Sequence, residues 1–311
     1  MKVLVTGGAG FIGSHLVDRL LEEGYHVIVL DNMSTGNIKN LKKHLNNKML
    51  VIKKIDILKD NILTYFKDIE MVWHLAANPD VRIGIQDTNV HFEQNVKATH
   101  RILEAMRKTD VKKIVFASTS TVYGEAHLRP TPEDFGPLKP ISLYAASKLA
   151  AESYICSYCY TFGMKSWIYR LANVIGMRSD HGIIYDLIIK LRRNQNRLEI
   201  LGNGEQEKSY IHISDCLNAL FFGLGGKDIV NIYNVGSEDV IKVKKIAQCV
   251  CDGMNLKPFF EFTGGKVGWM GDVPNMQLDI KKLKSMGWSP KMNSEEAVKR
   301  TINEMVSIYE K

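Results

Sequence analysis

Tyr144 and Lys148 stand four residues apart in Tyr144-Ala145-Ala146-Ser147-Lys148, a spacing that puts both on one face of a helix. A free phenol, with a pKa of ~10, is a poor base at neutral pH. A neighbouring ammonium favours the phenolate, but lowering that pKa by three units takes roughly 4 kcal/mol of differential interaction. An exposed ion pair supplies less than that. Alone, the spacing is a common accident; a second group of residues gives it weight. Gly7-Gly8-Ala9-Gly10-Phe11-Ile12-Gly13 follows the apolar run Val3-Leu4-Val5 and opens a helical pattern of Ile12, Leu16, Leu20 and Leu21. Glycines at 7, 10 and 13 permit a tight turn and a close approach of backbone to a pyrophosphate, and a helix N-terminus adds free N–H donors and a positive dipole. Asp31 ends the next apolar run, Val27-Ile28-Val29-Leu30. A carboxylate there accepts both hydroxyls of an adenosine ribose and repels a 2′-phosphate, which favours NAD over NADP. The nicotinamide's positive charge would then supply part of what Tyr144 needs.

Four hydroxyl residues, Ser118-Thr119-Ser120-Thr121, follow the apolar run Ile114-Val115-Phe116-Ala117. Ligands of open parallel sheets bind beyond the carboxyl ends of the strands, so these side chains suit the orientation of a sugar alcohol; a polar turn with no further task explains them as well.

The elements that must position these groups alternate. Strand patterns at 3–5, 27–30, 50–52, 71–75 and 114–117 are separated by helical patterns, the longest at 89–108 and 144–162. Continuous apolar strands between helices predict an α/β fold with a doubly wound parallel sheet, the Rossmann arrangement, covered on both faces. After about residue 170 the strands shorten, and a last helix opens with Asn293 and Glu296 in capping-box spacing. The expected division is a dinucleotide-binding domain over 1–170 and a smaller α/β substrate lobe over 171–311, with the chain crossing back around 210–237.

Composition narrows the class. The 311 residues are 45% apolar and 24% charged, a globular balance that excludes disorder, collagen and coiled coil. No run of 18 apolar residues exists, and the N-terminal residues are too few in apolar character for a signal-peptide core, so the expectation is a cytoplasmic protein without membrane association. The charge of +7 suits an anionic small molecule; the lysine pairs look dispersed over solvated faces, and no nucleic-acid module appears. Cys156 and Cys159 form a CxxC without a second ligand pair, and Cys249 and Cys251 lie in an apolar stretch, so all four read as packing and no metal is expected.

In this order, GGAGFIG, His74-Leu75-Ala76-Ala77-Asn78, Ser120-Thr121-Val122-Tyr123-Gly124, YAASK and Arg170-Leu171-Ala172-Asn173-Val174-Ile175-Gly176 make the chain similar to the extended short-chain dehydrogenase/reductase family over nearly its whole length. Within it the pattern resembles the compact archaeal and bacterial UDP-glucose 4-epimerases. The resemblance implies C4 epimerisation of a UDP-hexose through a transient 4-keto sugar, with NAD as a resident cofactor. It implies Tyr144 as base, Lys148 as its partner and Thr119 as the hydroxyl on the reacting oxygen. It places Gly7, Gly10, Phe11, Ile12, Asp31, Asn32, Ser34, Thr35, Gly36, Asp56, Ile57, Leu75, Ala76, Ala77, Asn95 and Ser118 around NAD, together with Tyr144 and Lys148. Asn173 matches a residue on the nucleotide diphosphate, and Arg82 is either a further contact or a solvated arginine. Two departures stand out: Lys208 replaces an arginine, losing bidentate phosphate recognition, and the family's second phosphate arginine falls near Trp269, where the nearest base is Lys266. Met276, four residues past Asp272, matches a pocket gate that admits UDP-glucose and UDP-galactose readily and N-acetyl sugars weakly; ordinary packing would account for it equally. A homodimer is implied in which helices 89–108 and 144–162 pair with their copies. Ile102, Leu103 and Met106 suit that interface, though they could equally face the sheet. A nucleotide-sugar 4,6-dehydratase or decarboxylase begins with the same oxidation. The carboxylates those enzymes carry after the threonine are Ser120 and Thr121 here. A non-catalytic dinucleotide sensor is the reading from another class.

Overall fold

The computed structural model describes residues 1–269 and 271–309. The apolar runs become strands β1 (Lys2–Thr6), β2 (His26–Asp31), β3 (Leu50–Lys54), β4 (Met71–His74), β5 (Lys113–Thr119) and β6 (Lys165–Leu171). With Val230–Val235 they form one seven-stranded sheet in the order Val230–Val235, β6, β5, β4, β1, β2, β3. Every pair from β3 through β5 is parallel, with Val3 opposite Val27 on one side and Met71 on the other. The expected doubly wound sheet is therefore present. The chain builds outward from β1 to β3, then returns to β4 on the other side of β1. That reversal lies between β1 and β4, and in open parallel sheets ligands bind beyond the strand ends at such a point.

Both faces of the sheet are apolar because strand side chains alternate. Leu4, Ile28, Leu30, Val72, Ile114 and Phe116 pack against Ile102, Leu103 and Met106 of the Ala98–Lys108 helix and against Ala151, Ile155 and Cys159 of the Leu143–Phe162 helix. Val3, Val5, Val27 and Val29 are buried too, and their parity turns them to the opposite face, where the Phe11–Glu22 helix packs. Ile102, Leu103 and Met106 are fully buried in this chain's own core. They therefore carry no argument for a partner copy. The expected helix over 89–108 forms as one helical stretch whose centre, Phe92–Lys97, is π-helical.

The chain divides into two compact units. The first comprises Met1–Val122, Ser142–Arg170 and Gly223–Tyr233; the second comprises Tyr123–Ile141, Leu171–Phe222 and Asn234–Lys311. In the second, Asn173–Ile175 pairs with Tyr210–His212, and Glu207–Lys208 lies between Ile241–Lys242 and Asn275–Met276. Its core holds Cys249 and Cys251 beside Ile188, Leu191, Val298 and Ile302. The Ser294–Tyr309 helix starts from a reciprocal capping box: Asn293 N donates to Glu296 Oε2 and Glu296 N to Asn293 Oδ1, both at 2.9 Å. All five cysteines are unpaired thiols. Among the described residues no helix is long and apolar enough to cross a membrane, and no three His, Cys, Asp or Glu side chains are grouped to hold a metal.

The positive charge is less dispersed than the sequence pairs suggest. Lys39, Lys42, Lys43, Lys48, Lys53 and Lys54 fall in residues 32–55, which contain no acid and no arginine, and all six are exposed.

Candidate active site

In the first unit, β1 runs straight into the glycine loop. Gly7 has φ +70°, a left-handed conformation, and a Cβ on it would lie 2.7 Å from Ala76 N. Glycine is thus required at this position both by backbone conformation and by the close passage of the Leu75–Ala76 backbone. A Cβ on Gly13 would lie 2.0 Å from Gly7 O, so the helix packs directly on the turn. Gly10 caps the Phe11–Glu22 helix with no side-chain hydrogen bond. A Cβ there would meet only Gly7 O at 3.3 Å, leaving the space above the helix start open. Unpartnered N–H groups facing open space fit a pyrophosphate.

Asp31 closes the far rim. Its Oδ2 accepts from Ala9 N at 2.9 Å and its Oδ1 from Met33 N at 2.8 Å, which fixes the carboxylate while each oxygen keeps a lone pair for a ribose hydroxyl. Gly36 approaches so closely that a Cβ would sit 2.8 Å from Asp31 Oδ1. Asn32 Oδ1 holds Ser34 N at 3.0 Å, and Ser34 and Thr35 are exposed beside it. Asp56 is half-buried and accepts from Leu58 N at 2.9 Å. Ile57 packs into the core, leaving mainly its backbone for a ligand.

Thr119 ends β5, and Tyr144 opens the Leu143–Phe162 helix, whose first turn is held by Ser142 Oγ accepting from Ala145 N at 3.1 Å. The Thr119 hydroxyl neighbours the Tyr144 phenol and favours its ionised form. Thr119 Oγ1 accepts from Thr121 N at 3.2 Å and pairs with Thr121 Oγ1 at 3.0 Å; with Thr121 as donor of that pair, Thr119 keeps its own proton for a ligand oxygen. Lys148, one turn on, is 3% exposed, with Nζ 4.1 Å from the centre of the Phe116 ring. Burial pushes Tyr144 up to about 12, with the Thr119 hydroxyl pulling the other way. It pulls Lys148 down to about 7 against the raising effect of Glu152. Burial thus works against a phenolate at Tyr144, and a cation bound beside it would favour one. NAD's charged nicotinamide is such a cation, and the glycine loop and Asp31 fit its other half.

The remaining residues of the first unit divide by what they already hold. Leu75, Ala76 and Ala77 are half-buried after β4, with Leu75 N and Ala76 N tied to Thr6. Asn95 is buried; its Oδ1 accepts from Asn78 N at 2.8 Å and its Nδ2 donates to Ser147 Oγ at 2.9 Å. Ser118 donates its hydroxyl to Glu152, which also pairs with Arg170 at 2.8 Å. Arg82 is exposed and turned onto Asp80 at 3.4 Å.

The second unit gathers Asn173, Lys208, Asp272 and Met276 around Glu207–Ser209. Asn173 Nδ2 donates to Ser209 O at 3.1 Å, Met276 stands opposite Lys208, and Ser209 N donates to Met276 O at 3.0 Å. Lys208 Nζ forms a salt bridge with Asp272 and lies 5.3 Å from the Trp269 ring centre. The cation that replaces an arginine is thus held by a carboxylate and an aromatic face.

Three features carry little or no signal in the sequence. His74 is buried between Thr6 and Thr99; only its place in HLAAN marks it. His91 packs edge-on against Tyr144 at 5.6 Å, and nothing in its neighbourhood in sequence signals this. The Glu152–Arg170 pair lies under Ser118, and the i, i+4 spacing of Lys148 and Glu152 is the available clue.

The chain is similar to known proteins over nearly its whole length. A solved UDP-galactose 4-epimerase is 41% identical, with a TM-score of 0.88 and 99% of each chain covered. The UDP-glucose 4-epimerase of Thermotoga maritima, solved with UDP-glucose, is 31% identical with a TM-score of 0.88, covering 99% of this chain and 100% of that one. The UDP-glucose 4-epimerase of Mycolicibacterium smegmatis is 32% identical over 97% of both chains. The model of the NAD dependent epimerase/dehydratase family matches residues 3–236, from the first strand through the glycine loop, Thr119, Tyr144 and Lys148. With its sheet order, its open glycine turn and its threonine–tyrosine–lysine group, the chain belongs to the NAD dependent epimerase/dehydratase family.

Proposed function

We propose that the protein is an NAD-dependent 4-epimerase of UDP-hexoses that interconverts UDP-glucose and UDP-galactose. The observation that carries this reading is the convergence of Thr119, Tyr144 and Lys148 in the unit that holds the glycine loop and Asp31. NAD, held by the glycine loop and Asp31, would supply the hydride acceptor and donor at the sugar C4, so that epimerisation through a 4-keto sugar would be redox-neutral overall. Tyr144 Oη receives the proton of the sugar 4-hydroxyl and later gives it back. Thr119 donates its one hydroxyl proton in a hydrogen bond to the reacting oxygen. Lys148 holds the nicotinamide ribose and adds positive charge near Tyr144. Asn173 binds the UDP diphosphate, Lys208 stands near it with its charge held by Asp272, and Met276 borders the sugar.

A dehydratase is the second reading, because the family contains both. Elimination needs a carboxyl general acid beside the threonine, and Ser120 and Thr121 cannot serve as one. The test is incubation with UDP-glucose and with UDP-galactose, followed by product analysis. The same epimer mixture from both ends supports the proposal; a 4-keto-6-deoxy product refutes it. We also assign a homodimer, formed through exposed Phe92, Tyr154 and Tyr160 on the two long helices rather than through the buried aliphatic residues.

A further inference from the structure

We infer that His74 is a positioning residue for this reaction: locked in one neutral tautomer, it joins the end of β1 to the first turn of the helix that carries Tyr144. The inference rests on the activity proposed above.

The hydrogen bonds around His74 run in one direction. Thr99 Oγ1 donates to Asn95 O at 2.6 Å, so the single hydroxyl proton of Thr99 is committed. Toward His74 Nε2, at 3.0 Å, Thr99 can only accept, and Nε2 therefore carries the imidazole proton. In a neutral ring Nδ1 is then bare and accepts from Thr6 Oγ1 at 2.7 Å. Thr6 Oγ1 in turn accepts from Ala76 N at 3.2 Å. Beyond Thr99 the chain continues through Asn95, whose Nδ2 donates to Ser147 Oγ at 2.9 Å, and Ser147 Oγ donates to Tyr144 O at 2.7 Å. Thr6 immediately precedes Gly7, and Ala76 is the residue that Gly7 packs against. The chain of bonds thus runs from the glycine turn to the backbone of the proposed base.

A second proton on His74 would break this order. It would point Nδ1–H at Thr6 Oγ1, whose own proton would lose its acceptor. It would also set a cation near Lys148: His74 lies 5.7 Å from the Phe116 ring centre, and Lys148 Nζ lies 4.1 Å from the same ring. These constraints do more than fill space, since an aliphatic side chain would pack here without ordering any of these hydrogen bonds.

The test compares the cofactor-loaded wild type with His74→Leu, His74→Gln and Thr99→Val. Glutamine offers one acceptor and one donor; leucine offers neither; valine at 99 removes the acceptor for Nε2 and the link to Asn95. We expect kcat to fall about tenfold or more in His74→Leu and Thr99→Val, in line with the cost of a misplaced reacting group. KM should be little changed, and His74→Gln should restore most of kcat. The ultraviolet titration of Tyr144, isolated by difference from the matching Tyr144→Phe proteins, should shift in His74→Leu and not in His74→Gln. That readout needs no turnover: a wild type inactive on UDP-hexoses would refute the proposed activity, while the titration still judges His74. A well-folded His74→Leu protein with unaltered kcat and titration would overturn the inference. So would a glutamine variant no better than leucine when both melt at the same temperature.

Discussion

Replacing Lys148 by methionine should destroy turnover and stabilise the protein. Lys148 is 3% exposed, and burial lowers its pKa from 10.5 to about 7. At 1.36 kcal/mol per unit, that depression is an upper bound of about 5 kcal/mol against the charged form. The favourable interaction with Glu152 already counts within it. Between pH 7 and 10.5 the unfolded chain holds a proton that the folded protein has released, so stability rises with pH across this window. Below pH 7 the cost of the buried charge is present in full. From pH 7 to 9.5, Lys148 alone should add about 3 kcal/mol to the unfolding free energy. Methionine keeps most of the stem and removes the charge. Exchanging a buried charge for an apolar group of similar volume is often stabilising by about 1–4 kcal/mol. Urea unfolding of wild type and Lys148→Met, freed of cofactor, at pH 6.5 and 9.5 measures this directly. The variant should be the more stable at pH 6.5, and the difference should shrink by pH 9.5. A variant that is less stable at pH 6.5, or a difference independent of pH, would refute the reasoning about the buried ammonium.

Three further outcomes are expected. Asp31→Ala should lose about tenfold or more in NAD affinity, because two backbone donors lose a charged acceptor as well as the ribose contact; discrimination against NADP should narrow, and equal affinity of the wild type for both cofactors would contradict the role. Met276→Tyr should suppress UDP-N-acetylglucosamine relative to UDP-glucose and Met276→Ser should raise it, by roughly 10–200-fold in kcat/KM; a constant ratio in all three proteins would remove Met276 as the gate. Light scattering at micromolar concentration should give the mass of a dimer, and Tyr154→Glu with Tyr160→Glu should shift it to the monomer; a monomeric wild type would contradict the assignment.

Local sequence carries the parts of this fold that depend on local chemistry. Gly7 is dictated by backbone conformation and close approach and Gly13 by close approach, so the glycine spacing is informative where it follows a strand and opens a helix. The capping box at Asn293 and Glu296 is of the same kind. What is hidden depends on partners distant in sequence. Spacing puts Tyr144 and Lys148 one helical turn apart, but the burial that shifts both, with Lys148 against Phe116 of β5, is something spacing cannot report. Lys208 reads as a free phosphate ligand in sequence, whereas in the fold Asp272, 64 residues away, holds it. Ile102, Leu103 and Met106 form a helical stripe that looks the same whether it faces a sheet or a second copy. His74 carries no local signal of its tautomer, because the threonines that fix it lie 68 residues before it and 25 after.

The most direct test of the account follows the hydrogen at C4. UDP-galactose deuterated at C4, incubated with the cofactor-loaded protein and examined by NMR, should become UDP-glucose with the deuterium still at C4 and none gained from solvent. Tyr144→Phe should leave the substrate unchanged while retaining NAD. Loss of the label to solvent, a 4-keto-6-deoxy product, or full conversion by Tyr144→Phe would contradict the mechanism derived from Thr119, Tyr144 and Lys148.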